Sequence, residues 1–166
     1  MIFEDDYFFK GKHAEYLEKL REVIFDKHAN VYILAPIIGL IENETAALDR
    51  TSKAERKMFS GDYKKYILQL EYSYKLVMLL YDKNGEDENQ KIDKAFNLMK
   101  TEGTVSDEEL FESYVRGGIE ILYKKLIEKS DDHLKNLLEF MEEIEDSRDP
   151  EVSVEAIKEL CELAKN

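Results

Sequence analysis

VYILAPIIGLI, from Val31 to Ile41, is the one stretch of the sequence in which apolar residues continue without a polar face. A helix with apolar side chains on every side must lie inside a bundle, with other helices packed around it. As a helix the stretch spans roughly 16 Å, about half of the ~30 Å hydrocarbon core of a bilayer, so it does not cross a membrane. It therefore predicts an all-α fold, a single bundle of about six to seven helices around a central helix over residues 31–42.

Length and composition favour one helical domain over residues 1–166. The 166 residues include only two prolines and seven glycines, too few for the turns of a β-sandwich or barrel. Residues 1–10 mix aromatic and acidic side chains and are too short for a helix. We predict that they form an ordered N-terminal tail whose aromatic rings dock onto the bundle.

Apolar periodicity and capping residues predict where the helices begin. Apolar residues recur at spacings of three and four from Lys12 to about Asp26, as in an amphipathic helix. Ser followed three residues later by Glu is a capping box, and it occurs twice. The predicted N-caps are Asn30, Ser52 (with Glu55), Ser106 (with Glu109), Ser130 and Asp149. The most regular apolar stripe follows Ser130, at Leu134, Leu137, Leu138, Met141 and Ile144.

Glycines in predicted helix interiors indicate either a binding site or a close helix crossing. Gly117 and Gly118 each cost about 1 kcal/mol relative to Ala in a helix, so packing or function should offset them. In one hypothesis these small residues open a dimple that binds a carboxylate or phosphate. Its candidate binding residues are Arg116, Gly117, Gly118, Tyr114 and Tyr123. In the other, a second helix crosses closely, and the central helix, with a predicted kink at Pro36 and a small residue at Gly39, is the expected partner.

Basic residues are concentrated between Arg50 and Lys65, although the formal net charge of the chain is −13. Six basic residues stand there against two acidic ones: Arg50, Lys53, Arg56, Lys57, Lys64 and Lys65. This basic patch could meet a phosphate backbone or an acidic partner. Alternatively it pairs with the acidic C-terminal half of the same chain. Outside the patch, the negative charge disfavours direct nucleic-acid binding.

The C-terminal region is acidic, with thirteen acidic and five basic residues from Ile127 to the end. An acidic helical face can imitate the phosphates of DNA, which suggests an inhibitor of a DNA- or RNA-binding machine. Paired Glu-x-x-Glu spacings, at Glu139 with Glu142 and at Glu159 with Glu162, suggest a magnesium-dependent nucleotide pyrophosphohydrolase. A solvated acidic face accounts for the same residues without either function.

The sequence contains no recognised catalytic motif. None of His13, His28 and His133 follows a carboxylate at the Glu-x-x-His spacing of di-metal bundles. The single cysteine, Cys161, cannot form an internal disulfide, which fits a reducing compartment. Residues 1–9 lack the basic start of a secretory signal. We therefore expect a cytoplasmic protein that is not an enzyme and needs no cofactor or metal.

Three stretches carry a resemblance: GKHAEYL from Gly11, VYILAPIIGLIENETA from Val31, and FESYVRGGIEILY from Phe111. Together they look like a group of small uncharacterised helical proteins encoded among bacterial anti-phage defence and DNA-modification genes. The resemblance implies an accessory subunit that contacts a larger protein partner, and it transfers no functional residues. We therefore expect a helical protein-interaction module without membrane contact, and a homo-oligomer stays possible.

Overall fold

The apolar stretch that begins at Val31 lies in one helix, α2 (His28–Ile41), at the centre of the fold. The computed structural model describes Phe3, residues 5–81, Gly85, residues 87–96 and residues 105–147. Val31, Tyr32 and Ala35 are at most 1% exposed. Because at least three other helices contact α2, the predicted central helix is confirmed.

The described part of the chain has seven α-helices and one two-stranded sheet. In chain order they are β1 Tyr7–Lys10, α1 Lys12–Val23, α2 His28–Ile41, β2 Glu55–Met58, α3 Ser60–Tyr63, α4 Ile67–Leu80, α5 Glu88–Phe96, α6 Val105–Tyr123 and α7 His133–Asp146. A 3₁₀ turn, Lys64–Tyr66, precedes α4, and a π-helical turn, Lys124–Glu128, follows α6. The predicted all-α class is confirmed, whereas the helix predicted from Asp149 lies outside the described residues.

Aromatic rings from the N-terminal segment close the core over α2. Phe3 and Phe9 are 4% and 2% exposed, and both meet the ring of Tyr32 edge to face. Phe111 of α6 packs on the same tyrosine, with ring centroids 6.2 Å apart. The predicted docking of N-terminal aromatics is therefore confirmed for these two rings, while Phe8 is 40% exposed.

Residues 7–10 form a strand rather than a tail, and this overturns one predicted helix start. β1 pairs antiparallel with β2, with Tyr7 opposite Met58 and Lys10 opposite Glu55. The helix predicted at Ser52 with Glu55 is therefore wrong, because this segment is extended. The Ser52 hydroxyl instead donates to Glu15, 2.6 Å away.

The first two helices differ from the prediction at their ends. α1 ends at Val23, three residues before the predicted Asp26. α2 begins at His28, so Asn30 lies inside the helix and is not its N-cap. The N-cap is Lys27, and no side chain accepts a hydrogen bond from the first N–H groups of α2. α2 therefore begins without the side-chain cap that the sequence predicted.

The two C-terminal helices also begin elsewhere. α6 is already helical at Val105, so Ser106 lies within it. α7 is capped by Asp132, whose carboxylate accepts from the Lys135 N–H at 3.1 Å. The predicted cap Ser130 instead donates its hydroxyl to the side-chain oxygen of Asn136.

The regular apolar stripe of α7 does not coincide with the buried side of that helix. Buried positions are Asn136 and Phe140, whereas Leu137 and Ile144 are partly buried. The exposed members are Leu134, Leu138 and Met141, at 68, 53 and 58%. The Asn136 amide donates to the carbonyl of Leu126, at 3.1 Å, which satisfies backbone at the end of the π-helical turn. This polar contact turns the asparagine side of α7 inward.

Candidate functional site

The predicted glycine pair lies where α6 crosses α2 with the two backbones in contact. A Cβ added at Gly118 would lie 1.8 Å from the carbonyl oxygen of Ala35. One added at Gly39 would lie 2.4 Å from the carbonyl oxygen of Tyr114. Gly117 packs in the same way on the backbone of Glu44. The close crossing with the Gly39 helix is therefore confirmed, and backbone atoms fill the space between the helices.

Arg116 and Tyr114 are part of this packed interior. Arg116 is 4% exposed, its Nε donates to the carbonyl of Ala46 at 2.8 Å, and its Nη2 bonds Glu109. Tyr114 is 1% exposed. The guanidinium thus joins the segment after α2 to α6, and it is not free to bind the carboxylate or phosphate of the dimple hypothesis. The structure does not bring Arg116 or Tyr114 to a common surface with Tyr123.

Two of the predicted binding residues, Gly117 and Tyr123, do line a cavity of about 290 Å³ beside the crossing. The ring of Tyr16 stacks on that of Tyr123, with centroids 3.8 Å apart and planes 7° apart. Glu44 and Glu120 add carboxylates to the lining. This surface can accept hydrogen bonds. Lys124 is the one basic residue among its described lining residues, and the Arg116 guanidinium of the hypothesis is not part of it.

A buried histidine joins α1 to α6 behind that cavity. His13 is 1% exposed, and its Nε2 lies 2.8 Å from Glu120. Burial lowers the pKa of His13 and outweighs the opposing effect of Glu120. Its Nδ1 has no hydrogen-bond partner in the described part of the chain. Because the ring is shielded from solvent, we interpret the pair as a link between helices.

Sequence reasoning missed a buried carboxylate at the centre of the fold, Glu112. Tyr32 of α2 donates its hydroxyl to one carboxylate oxygen at 2.7 Å, and Tyr7 of β1 donates to the other. Burial raises the pKa of Glu112 to about 7, although both tyrosine hydrogen bonds lower it. Its spacing of three from the buried Val115 could have placed it on the inner face of α6. The partners could not have been found locally, because they lie 80 or more residues away.

The basic patch is partly neutralised, but by acidic residues of the N-terminal half. Arg56 bonds Glu18 at 2.7 Å, and Lys57 bonds Asp6 at 2.6 Å. Pairing with the C-terminal half is therefore wrong for these two residues. The physical reason is that β2 pairs with β1 and packs on α1, which brings N-terminal carboxylates next to it.

The other patch residues have two kinds of surroundings. Lys65 and Lys57 line a cavity with residues that precede α2. Arg50, Lys53 and Lys64 are exposed, and none of them has an ion pair within the described residues. The patch is therefore divided between surface ion pairs, a cavity and solvated side chains.

Lysines partly neutralise the acidic face of α7. Glu139 lies 2.8 Å from Lys129 and 3.7 Å from Lys135. Glu142 is exposed, and Glu159 and Glu162 lie outside the described residues. In the part of the chain that the structure describes, no three His, Cys, Asp or Glu residues are grouped to hold a metal ion.

A row of apolar side chains on α4 is open to solvent. Leu68, Tyr72 and Leu80 are 74, 61 and 61% exposed, at spacings of four and eight residues along one side. Phe96 of α5, 48% exposed, lies beside the row, with Lys75 Nζ 5.4 Å from its ring centroid. We call Leu68, Tyr72, Leu80 and Phe96 the α4 outer face.

None of the described helices is long and apolar enough to span a membrane alone. α1 and α2 reach the required length and apolarity only as a pair bent by 114°. Comparisons with protein-family models, with curated proteins and with solved structures gave no match to this chain. Its function is therefore inferred from its own surfaces.

Proposed function

We propose that the chain is a non-enzymatic protein-interaction module, an accessory subunit that binds a larger protein through the α4 outer face. The observation that carries the proposal is the exposed apolar row on a helix whose opposite side is already buried. Leu70, Tyr74 and Val77 fill that inner side and are at most 2% exposed. The core therefore does not need the outer row, and large exposed apolar patches commonly mark interaction sites.

The chemistry of the row fits a helix-sized partner surface. Side chains four residues apart on one helix face are the usual anchors when a helix packs into a groove. Covering a side chain such as Leu68 contributes about 1.5–3 kcal/mol. Tyr72 adds an aromatic ring with a hydroxyl, the kind of residue that often dominates binding energy at interfaces.

The formal charge favours a different protein over a second copy. Each copy carries −13, so self-association brings like charges together, whereas a less acidic partner avoids this repulsion. The sequence resemblance implies a bacterial defence or DNA-processing assembly in the cytoplasm as the setting. A homodimer through the same face is the competing outcome.

Site-specific photo-crosslinking tests the proposal. A photoreactive phenylalanine analogue replaces Tyr72, and in a control protein it replaces Leu48, which is 41% exposed outside the face. In cells of the source organism we expect one larger protein to crosslink at position 72 and not at 48. The purified pair should then bind at least tenfold more weakly with Tyr72→Glu and unchanged with Leu48→Glu.

Three results would contradict the proposal. Crosslinking to a second copy would replace it with a homodimer. Equal adducts from positions 72 and 48 would remove the face as an interface. The third is loss of the complex in about 1 M salt, where the Debye length is about 3 Å. An apolar interface should persist there, because salt screens charge interactions and not apolar contacts.

Loss of the complex in high salt would favour the alternative function, an acidic mimic of nucleic acid. The observation behind that alternative is that Glu142, Glu145 and Asp146 are exposed. They have no ion pair within the described residues.

A further inference from the structure

A second surface, none of whose lining residues belongs to the α4 outer face, has the chemistry of an anion site. A cavity of about 310 Å³ opens between the end of α1, the start of α2 and the segment from β2 to the 3₁₀ turn. Its basic lining residues are Arg21, Lys27, His28, Lys57 and Lys65. Its acidic lining residues are Asp26 and Asp62. Such a concentration of basic groups stands out in a chain of net charge −13.

Three of these basic groups are paired with carboxylates outside the cavity. One is His28, whose Nε2 lies 3.0 Å from Glu18. Arg21 bonds Glu18 through Nε at 3.0 Å and through Nη2 at 2.5 Å. Lys57 bonds Asp6 at 2.6 Å. These three side chains therefore shape the cavity wall and contribute less to binding an anion.

Lys27 and Lys65 keep their charge available. Lys27 Nζ donates to the neutral hydroxyl of Tyr66 at 3.0 Å, which positions the ammonium without neutralising it. Lys65 is exposed and has no ion pair in the described part of the chain. Two ammonium groups at one cavity are suited to the oxygens of a phosphate group.

The start of α2 adds donors to the same cavity. Ala29, in the first turn of this 14-residue helix, lines it. No acidic residue lies in that turn, and no side chain caps its N–H groups. The Asn30 N–H already donates to the carbonyl of Lys27, at 3.1 Å, so the donors for an anion are the first two N–H groups of the helix, those of His28 and Ala29. These donors and the positive end of the helix dipole both favour an anion there.

We propose that this cavity binds the phosphate group of a small molecule. Lys27, Lys65 and the first two N–H groups of α2 hold the phosphate oxygens. Asp26 and Asp62 accept hydrogen bonds from hydroxyl or amino groups on the rest of the ligand. The volume is at the lower end for small-molecule sites, which fits a phosphorylated sugar or amine.

Calorimetric titration of the full chain with inorganic phosphate, pyrophosphate and a sugar phosphate tests this assignment. We expect saturable binding, weakened about tenfold by Lys65→Ala or Lys27→Ala through loss of a charge-assisted hydrogen bond. The matched control is Lys53→Ala, which removes one exposed lysine outside the cavity. Asp62→Asn should strengthen pyrophosphate binding, because it removes an opposing charge from the lining.

Any one of the following results would overturn the proposal. No binding of any probe, or binding unchanged in the Lys27→Ala, Lys65→Ala double variant, removes the site. An equal loss of affinity in Lys53→Ala would mean that the phosphate probes are attracted to positive surface charge in general and not to this cavity. Tighter binding of a short single-stranded DNA than of pyrophosphate, at equal phosphate concentration, would replace a small ligand with nucleic acid. Because both lysines are solvent-accessible, circular dichroism should show that all variants are folded.

Discussion

The two most apolar helices of the molecule, α2 and α4, have different surroundings. α2 is packed along its length, with Val31 and Ala35 fully buried and α6 touching its backbone at Gly39. α4 buries one side on the core and leaves Leu68 and Tyr72 open to solvent. A high apolar content therefore has two different structural outcomes in this chain. In α2 it accompanies burial by the same molecule, and in α4 it leaves exposed the side chains that we propose as a protein-binding surface.

The difference follows from the kind of residue at each contact. α6 can reach α2 backbone to backbone because both helices carry glycine at the crossing. The outer row of α4 has only large side chains, which keep a neighbouring helix at side-chain distance.

The inner and outer sides of α4 should differ most in their contribution to stability. Leu70→Ala removes a fully buried side chain and should lower the free energy of unfolding by about 2–5 kcal/mol. Leu68→Ala, at a position 74% exposed, should change it by less than about 0.5 kcal/mol. Urea unfolding of both variants measures the two values. Similar losses would mean that the outer row belongs to the core.

The helix crossing should tolerate no side chain at Gly118. Gly118→Ala places a Cβ against the Ala35 backbone and should destabilise the protein by about 3 kcal/mol, through overpacking. The matched control is Gly61→Ala, where a Cβ meets nothing within 4 Å. That variant should gain about 0.5 kcal/mol, because alanine loses less backbone entropy in a helix. Thermal unfolding compares them, and a stable Gly118→Ala protein would contradict the close crossing.

The carboxyl of Glu112, bonded to Tyr32 of α2, should make stability depend on pH. Its pKa is about 7 when folded, against an ordinary value of 4.5, so between these values the folded state keeps a proton that the unfolded chain has released. The free energy of unfolding should therefore contain a term that falls, by about 1–3 kcal/mol, as pH rises from about 4.5 to about 7. Above that range the loss is complete.

Glu112→Gln should remove this term, because the amide does not titrate. Urea unfolding at about pH 5 and about pH 7.5 measures the change in the free energy of unfolding for the variant and for the wild type. Subtracting one change from the other removes the contribution of the other carboxylates. An equal change with pH in both proteins would show that Glu112 is charged at both values.

The smallest effect on folding should come from the proposed interface. Tyr72→Glu, at a position 61% exposed, should change the free energy of unfolding by less than about 0.5 kcal/mol. The same variant should lose the partner, so binding and stability separate. If the variant unfolds instead, Tyr72 supports the fold and its exposure is not evidence for a partner.

The sequence predicts those parts of the fold that depend on local pattern. The burial of α2 follows from its apolar run, and the crossing at Gly118 follows from the cost of glycine in a helix. Ser52 misleads because its spacing to Glu55 fits a capping box, while pairing with residues some 45 positions earlier makes the segment a strand. There the pairing of β1 with β2 outweighs local propensity, and a short stretch of sequence does not contain both partners of that contact.

The candidate site residues illustrate the same limit. Arg116 has the residue type of an anion site, but the carbonyl of Ala46, 70 residues earlier in the chain, already accepts its Nε hydrogen bond. Glu112 looks like one of many surface acids, and only the tertiary fold brings two tyrosines to it. The apolar stripe of α7 fails for a similar reason, because the polar Asn136 fixes which side faces inward.

The crossing of α2 and α6 also has a consequence for protein synthesis. α2 leaves the ribosome well before the glycines of α6, which are made roughly 80 residues later, or about 4–16 s at common elongation rates. During that interval the most apolar segment of the nascent chain is not yet packed against α6. A chaperone that binds apolar stretches on the ribosome would therefore find its clearest target at Val31–Ile41, and would be displaced once Gly118 emerges.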